Sequence, residues 1–463
     1  MRGLLIASLV ALCACGSSPE ESVELTPLLD TNPAANIVEV QLVAGLSTTE
    51  YLAGKPAHVW AYRDGASANA IGSVPGPLLT ANQGDHVIVH FRNELPEETT
   101  IHWHGIRVPP RSDGTTVAQI PVAPGASFDY EFDALDAGTF WYHPHIHGDV
   151  QIENGLYGMI VVKGGVDPDV AADRAFVLDD VKLESTGQLS TRIDALDLML
   201  GRQGNVLLVN GRSGASLQAK AGSRERWRFV NAANGRYFNL FLPGHTLQVI
   251  GWDGGLLAEP YTTDTLLIAP GERYEVLVEL ADAPGTQLSL QTLHYDRGHN
   301  IPDPGPQTIM SIALPSRAER APLPLPTLWR ADEPIAIDAQ TPQRSFVLSE
   351  QEEGLVEPRF FINGERFPNN TPIAALAGAV AIWSIRNDAE MDHPFHLHGM
   401  FFRVLDVDGV VPAHAGWKDT VNVPQKTTLR FAVRYGEPGT WMYHCHILEH
   451  AERGMMGELV LSP

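Results

Sequence analysis

Gly439-Thr440-Trp441-Met442-Tyr443-His444-Cys445-His446 has a sibling near the other end of the chain, Gly138-Thr139-Phe140-Trp141-Tyr142-His143-Pro144-His145. In both, a glycine opens a short aromatic run that closes on His-x-His. Aromatic runs of this length bounded by glycine suit β-strands. Alternate side chains on a strand share a face, so each His-x-His aims two imidazoles the same way. Gly285-Thr286-Gln287-Leu288 is a weaker middle copy without histidine.

Reading outward, each run is preceded by a matching opening. Gly84-Asp85-His86-Val87 leads through Phe91-Arg92-Asn93 to Ile101-His102-Trp103-His104-Gly105. Gly222-Ser223-Arg224-Glu225 leads through Phe229-Val230-Asn231 to Asn239-Leu240-Phe241-Leu242-Pro243-Gly244. Gly378-Ala379-Val380-Ala381 leads through Ile385-Arg386-Asn387 to Phe395-His396-Leu397-His398-Gly399. Segments such as His86-Val87-Ile88-Val89-His90-Phe91 and Tyr274-Glu275-Val276-Leu277-Val278 alternate apolar and polar residues, and long helical periodicity is missing. This predicts an all-β chain of three related sandwiches at 36–165, 166–320 and 335–463. A Pro-rich linker with Pro322, Pro324 and Pro326 occupies 321–334. The middle copy lacks the histidines of its siblings, so a metal site is expected between the first and third.

The 463 residues fit about three domains of ordinary size, and 44% hydrophobic residues suffice for packed cores. The net charge of −23 disfavours nucleic acid as a partner and suits solubility, metal cations or basic partners. Met1-Arg2 followed by the apolar run Leu4–Leu12 has the shape of an export signal. Leu12-Cys13-Ala14-Cys15 resembles a bacterial lipobox, which predicts a signal over 1–15, a lipid on Cys15 as the membrane attachment, and a polar tether over 16–35. An ordinary cleaved signal is the alternative. Without an Arg-Arg pair the chain is expected to cross unfolded and take up metal outside the cytoplasm. Cys13 leaves with the signal and Cys15 is blocked, so Cys445 is the one thiol remaining. It is either a buried structural cysteine or a metal ligand.

Its neighbours favour a ligand. Four clusters hold ten histidines: His102 and His104; His143 and His145; His393, His396 and His398; His444, His446 and His450. Four His-x-His pairs supply eight nitrogens, which suit transition metals rather than the oxygen-seeking Mg²⁺ or Ca²⁺. Cys445 lies between two histidines and therefore projects to the opposite face. His393 is an odd offset from His396 and also projects away. With His450 and Met455 they complete two imidazoles, one thiolate and a weak axial Met, the blue-copper electron-transfer set. Asp113 lies nine residues after His104. It reads either as an acid beside the metals or as a turn residue in Ser112-Asp113-Gly114.

These residues resemble the three-domain multicopper oxidases of the laccase, bacterial cuprous oxidase and spore-coat laccase type. The similarity covers nearly the whole mature chain, including Val74-Pro75-Gly76-Pro77 and Asn210-Gly211. It implies three cupredoxin-like Greek-key β-sandwich domains and four copper ions. His393, Cys445, His450 and Met455 would hold the type 1 copper, and His102 and His396 the type 2 copper. One type 3 copper would take His104, His143 and His446, the other His145, His398 and His444. It also implies oxidation of a small-molecule or metal-ion donor coupled to reduction of O₂ to water, with Asp113 assisting proton delivery. Many such bacterial oxidases carry a glutamate directly after the histidine matching His450, but this chain has Ala451 there and Glu452 one later. Hence Asp113 is expected to carry more of the proton supply. Nine Met, none between Met310 and Met391, tilt the donor towards phenols and aromatic amines rather than Cu⁺, Fe²⁺ or Mn²⁺. A copper-free cupredoxin scaffold would lack several ligands, and a copper nitrite reductase would lack the paired type 3 histidines. His147 and the scattered His58, His86, His90, His245, His294, His299 and His414 are expected to be structural or at the surface.

Overall fold

A computed structural model describes residues 23–299, 301–351 and 357–463. The signal and lipobox with Cys13 and Cys15 lie outside the described residues. The fold class is as expected: strands arranged in six sheets, with three short α-helices among the described residues.

The first sandwich packs the sheet Lys55–Asp64, Ile37–Leu52, His86–Asn93, Ser127–Asp133 on the sheet Gly76–Asn82, Gly158–Lys163, Gly138–His143, His102–His104. The third packs Arg359–Ile362, Gln343–Gln351, Val380–Asn387, Thr428–Arg434, Phe402–Val407 on Ile373–Leu376, Met456–Ser462, Gly439–Cys445, His393–Leu397, Thr420–Val423. In the second sheet of each, one parallel pair is followed by antiparallel neighbours: Gly76–Asn82 beside Gly158–Lys163, and Ile373–Leu376 beside Met456–Ser462. The middle sandwich repeats this wiring with Ala215–Ala221 beside Gln307–Arg317, then Gln287–Leu293 and Phe238–Phe241. The glycine-opened runs of the sequence are thus the same strand in each sandwich.

Alternation predicts strands with one solvated face well. His86–Asn93 buries Val87, Val89 and Phe91 in a core with Trp103 and Phe132. The third core gathers Trp383, Phe395, Leu397, Phe431 and Leu459. Each such fully buried apolar side chain contributes about 1.5–3 kcal/mol relative to exposure. Alternation is misleading for Ser223–Asn231, which is buried on both faces. Arg228 on this strand faces the first sandwich: it donates to Glu275, which also accepts from Thr139 Oγ1 at 2.6 Å. The polar face of that strand is an interface rather than a solvated surface.

Two stretches read as spacers are tied down. Within the expected tether, Val23 and Leu28 are buried, and Leu28 N donates to Leu78 O at 2.9 Å. In the Pro-rich stretch, Trp329 and Leu325 pack against Ile250, Leu256 and Leu277 of the middle sandwich. The apolar side chains of these segments find a core within reach, which composition alone did not register.

Candidate metal centre

The two His-bearing sheets place their ligands by register. His102 pairs with His143, and His396 with His444. His145, His398 and His446 lie just past the ends of their strands, so local turns rather than the pleat aim them. Ligand atoms of His104, His143 and His446 come within 4.8 Å of one another, as do those of His145, His398 and His444. Those of His102, His104 and His396 converge in the same way, and so do those of His102, Asp113 and His398. The first and third sandwiches therefore close on one nest of eight imidazoles.

Hydrogen bonds fix which nitrogen is free in most of these rings, whereas neither nitrogen of His446 has a partner among the described residues. His102 Nδ1 bonds Asp113 O at 2.8 Å, His143 Nδ1 bonds Pro144 O at 2.8 Å, and His444 Nδ1 bonds Cys445 O at 2.8 Å. His396 Nδ1 bonds Asp419 O at 3.0 Å, and His398 Nδ1 bonds Asp113 Oδ2 at 2.9 Å. An Nδ1 that donates leaves Nε2 as the lone-pair donor. Nε2 of His102, His143 and His396 is buried without a hydrogen-bond partner among the described residues. His104 is reversed: its Nε2 meets Asp419 Oδ1 at 3.2 Å and Thr420 Oγ1 at 3.0 Å, and its Nδ1 is the orphan. The Nε2 atoms of His145 and His398 stand 3.2 and 3.0 Å from His444 Nε2. Lone pairs so close repel unless a cation lies among them, so the donor set fits transition-metal ions.

Electrostatics agree. Burial, together with the neighbouring imidazoles, holds His104, His143, His398, His444 and His446 well below the usual imidazole range. Burial lowers His145 to about 3. Neutral imidazoles are the form that binds metal.

Cys445 projects to the other face of its strand. Its Sγ lies 3.5 Å from His393 Nδ1 and 3.9 Å from His450 Nδ1, and these nitrogens are 3.3 Å apart. Burial lowers His393 to about 4 and pushes the Cys445 thiol up. His450 sits on the helix Leu448–Glu452, stacks on Phe360 at 3.8 Å, and offers Nε2 to Met199 O at 3.0 Å. Met455 is fully buried in the same core, and its carbonyl accepts from Cys445 N at 3.0 Å. Two imidazoles and a thiol, all dry and mutually adjacent, are a set suited to copper.

Asp113 is wholly buried between the sets, with Oδ1 3.4 Å from His102 Nδ1. It also ends a turn: it caps the 3₁₀ turn Pro110–Ser112, and Gly114 follows at φ +79°. A Cβ on Gly114 would lie 1.9 Å from Ile101 O. Glu452, one past the Ala451 gap, instead accepts from Gly148 N at 2.7 Å and ties down the turn after His145. Glu449 is buried and accepts from Asn234 Nδ2 at 2.9 Å. His147 is exposed, and His414 stacks on Tyr261 at 3.7 Å.

Sequence reasoning passed over Asp419, Thr420 and Arg273. Arg273 is fully buried in the middle sandwich and grips Asp419 with two bonds, Nη1–Oδ1 at 2.6 Å and Nη2–Oδ2 at 2.5 Å. Asp419 in turn orients His104. Gly271, at φ +84°, also presses on the nest: a Cβ there would lie 2.7 Å from the His446 ring. The ligand-free middle sandwich thus braces the site. Gly271 closes an Ala-Pro-Gly turn shared with Ala123-Pro124-Gly125, but Arg273, Asp419 and Thr420 belong to none of the repeated His-bearing runs, so no sequence signal tied them to the ligands.

Family models described as multicopper oxidase match residues 57–166, 181–301 and 337–463. The chain is 30% identical to the multicopper oxidase MmcO of Mycobacterium tuberculosis, over 99% of this chain and 96% of that protein. It is 30% identical to a laccase of Botryotinia fuckeliana, over 86% and 80%. A solved Campylobacter jejuni multicopper oxidase, described as a metallo-oxidase, superposes with a TM-score of 0.83 at 29% identity, covering 95% of this chain and 94% of that one. A laccase-like enzyme of Ochrobactrum sp., described as active towards lignin model compounds, gives 0.80 at 29% identity, covering 95% and 99%.

Proposed function

The chain belongs to the multicopper oxidases, copper-dependent oxidoreductases that use O₂, and from that premise we propose that it is a laccase-like oxidase of phenols and aromatic amines. In this reading it holds four copper ions. His393, Cys445, His450 and Met455 take the type 1 ion, and His102 and His396 the type 2 ion. His104, His143 and His446 take one type 3 ion, and His145, His398 and His444 the other. When bound, the coppers supply one-electron oxidation of donors at the type 1 site and four-electron reduction of O₂ to water at the other three. The chain's own residues do the rest. The peptide His444-Cys445-His446 joins the two ligand sets covalently. Asp113 holds the proton of His398 Nδ1 and orients His102.

One observation carries the reading: Cys445 meets His393 and His450 on one face while its sequence neighbours His444 and His446 join the imidazole nest on the other. The test is O₂ consumption by the copper-loaded protein with a panel of phenols, aromatic amines and reduced metal ions. A preparation that binds its copper and oxidises none of them would overturn the reading. Oxidation of Cu⁺, Fe²⁺ or Mn²⁺ alone would favour a metal-ion oxidase, the reading that the Campylobacter jejuni relative supports. We also read the chain as three domains at 36–165, 166–320 and 335–463, preceded by an export signal and a lipid anchor at Cys15. No helix among the described residues is long and apolar enough to cross a membrane. Mass determination of the mature N-terminus tests the anchor.

A further inference from the structure

Two of the imidazole trios are related by the repeat. His104 and His143 of the first sandwich correspond to His398 and His444 of the third, and His446 corresponds to His145. Register adds one more side chain to each trio. Trp141 pairs with His104 and lies two residues before His143 on the same strand, so it shares their face. Met442 holds the matching place, two residues before His444, and its carbonyl accepts from His398 N at 3.0 Å. The trios are thus alike in ligands and unlike in the residue beside them.

Trp141 is buried, and its ring lies 4.2 Å from that of His143, 5.2 Å from His104 and 5.4 Å from His446. One indole therefore meets every member of its trio. Among the described residues, the rings against His145, His398 and His444 are all other histidines. The indole N–H has no hydrogen-bond partner among the described residues, so Trp141 meets the trio through its ring.

His446 is the ligand that needs such a contact. A ligating histidine is usually aimed by a hydrogen bond from its other nitrogen. His143 has one to Pro144 O, and His104 has Asp419 and Thr420. Neither nitrogen of the fully buried His446 has one among the described residues. Packing confines its ring instead, by the indole and by Gly271, where a Cβ would lie 2.7 Å from Cδ2 and 2.8 Å from Cγ. Gly271 is itself held: its N–H donates to Asn231 O at 2.9 Å, and its carbonyl accepts from Arg273 Nη1 at 3.2 Å. The counterpart His145 is half-buried and within reach of solvent.

We propose that Trp141 is a positioning residue: its indole holds the His446 ring so that its lone pair converges with those of His104 and His143, and thereby keeps one of the two type 3 coppers in place. The two arms leaving Cys445 are then held differently, His444 by its hydrogen bond to Cys445 O and His446 by the indole. The proposal rests on the reading in which His104, His143 and His446 share one copper.

The test compares Trp141→Met, Trp141→Phe and Met159→Ala with the unaltered protein, all copper-loaded. Met159 pairs with Trp141 across the sheet and belongs to the same core, so its truncation loosens that core and spares the indole. Copper bound at graded free copper is read beside EPR, and the visible thiolate band reports folding. Trp141→Met, which installs the sibling's residue, is expected to weaken one copper about 10- to 100-fold, the range for losing a group that orients a ligand. An exchange-coupled Cu²⁺ pair is silent in EPR, so a new signal should grow as that copper leaves while the thiolate band persists. Trp141→Phe keeps a ring and should hold copper nearly as tightly as the unaltered protein. Met159→Ala should melt earlier yet bind copper normally. Trp141→Leu repeats the test with a second side chain lacking a ring, should Trp141→Met not fold. Parental copper affinity in a folded variant without the ring overturns the proposal. So does a loss in Trp141→Phe equal to that in Trp141→Met, or an equal loss in Met159→Ala. An unaltered protein without a coupled copper pair overturns the copper assignment instead.

Discussion

Replacing Asp419 by Asn separates the brace from the ligands it serves. The carboxylate balances the fully buried Arg273 through two bonds and accepts from His104 Nε2. Breaking a buried charge pair costs about 3–5 kcal/mol. The lower end applies, because Arg273 keeps Asp253 Oδ1 at 3.4 Å and the carbonyls of Thr139, Gly271 and Asp253. Copper-free Asp419→Asn should therefore lose about 3 kcal/mol in denaturant unfolding of the third sandwich. Loss of a group that orients a ligand lowers metal affinity about 10- to 100-fold, or about 1.4–2.7 kcal/mol. That loss should fall on the coppers served by His104 and His396 and spare the thiolate band of the Cys445 site. The assay is copper content at graded free copper, read beside the visible spectrum. If the trinuclear ions bind Asp419→Asn as tightly as the parent, the carboxylate does not hold His104 in its reversed tautomer, and the reasoning fails.

Cys445→Ser should bind one copper fewer and lose the visible thiolate band while keeping the histidine-held ions; metal analysis and absorption spectra check this, and full copper with the band intact would contradict the type 1 assignment. Asp113→Asn should slow O₂ reduction by about 10- to 100-fold and shift its pH profile; full rate across pH would show that the proton supply runs elsewhere. Burial, then the neighbouring Asp180, raises Asp179 to about 8. A raised folded-state acid stabilises below its unfolded value near 4 and loses that contribution as pH climbs towards 8. The buried histidines, whose folded-state values are lowered, make the copper-free chain more stable as pH rises to about 6.5. Above that the Asp179 contribution should make it less stable towards pH 8, and Asp179→Asn should flatten that fall, so parallel slopes of the two proteins between about pH 6.5 and 8 would count against it.

Much of the site was legible because ligand chemistry is local in sequence. A His-x-His pair fixes two ligands through strand geometry, and the parity of Cys445 and His393 separates the two centres without any tertiary information. The limit of parity shows at His145, His398 and His446, which turns aim after their strands have ended. Asp113 was visible twice, as turn residue and as acid, and the two readings are compatible in one geometry because the turn places its carboxylate between His102 and His398. Asp419, Arg273 and Gly271 were invisible, since each acts through a partner on another sandwich.

The sequence by itself determined the sandwiches, the imidazole and thiol inventory, and the division of Cys445 from its flanking histidines, because alternation and spacing are properties of one strand. Only the tertiary structure decided which nitrogen is free in rings such as His102, His104, His143 and His396, and that the polar face of Ser223–Asn231 is an interface. Those outcomes depend on groups brought together from distant parts of the chain, where burial sets the cost of every unpaired charge and no local pattern records the partner.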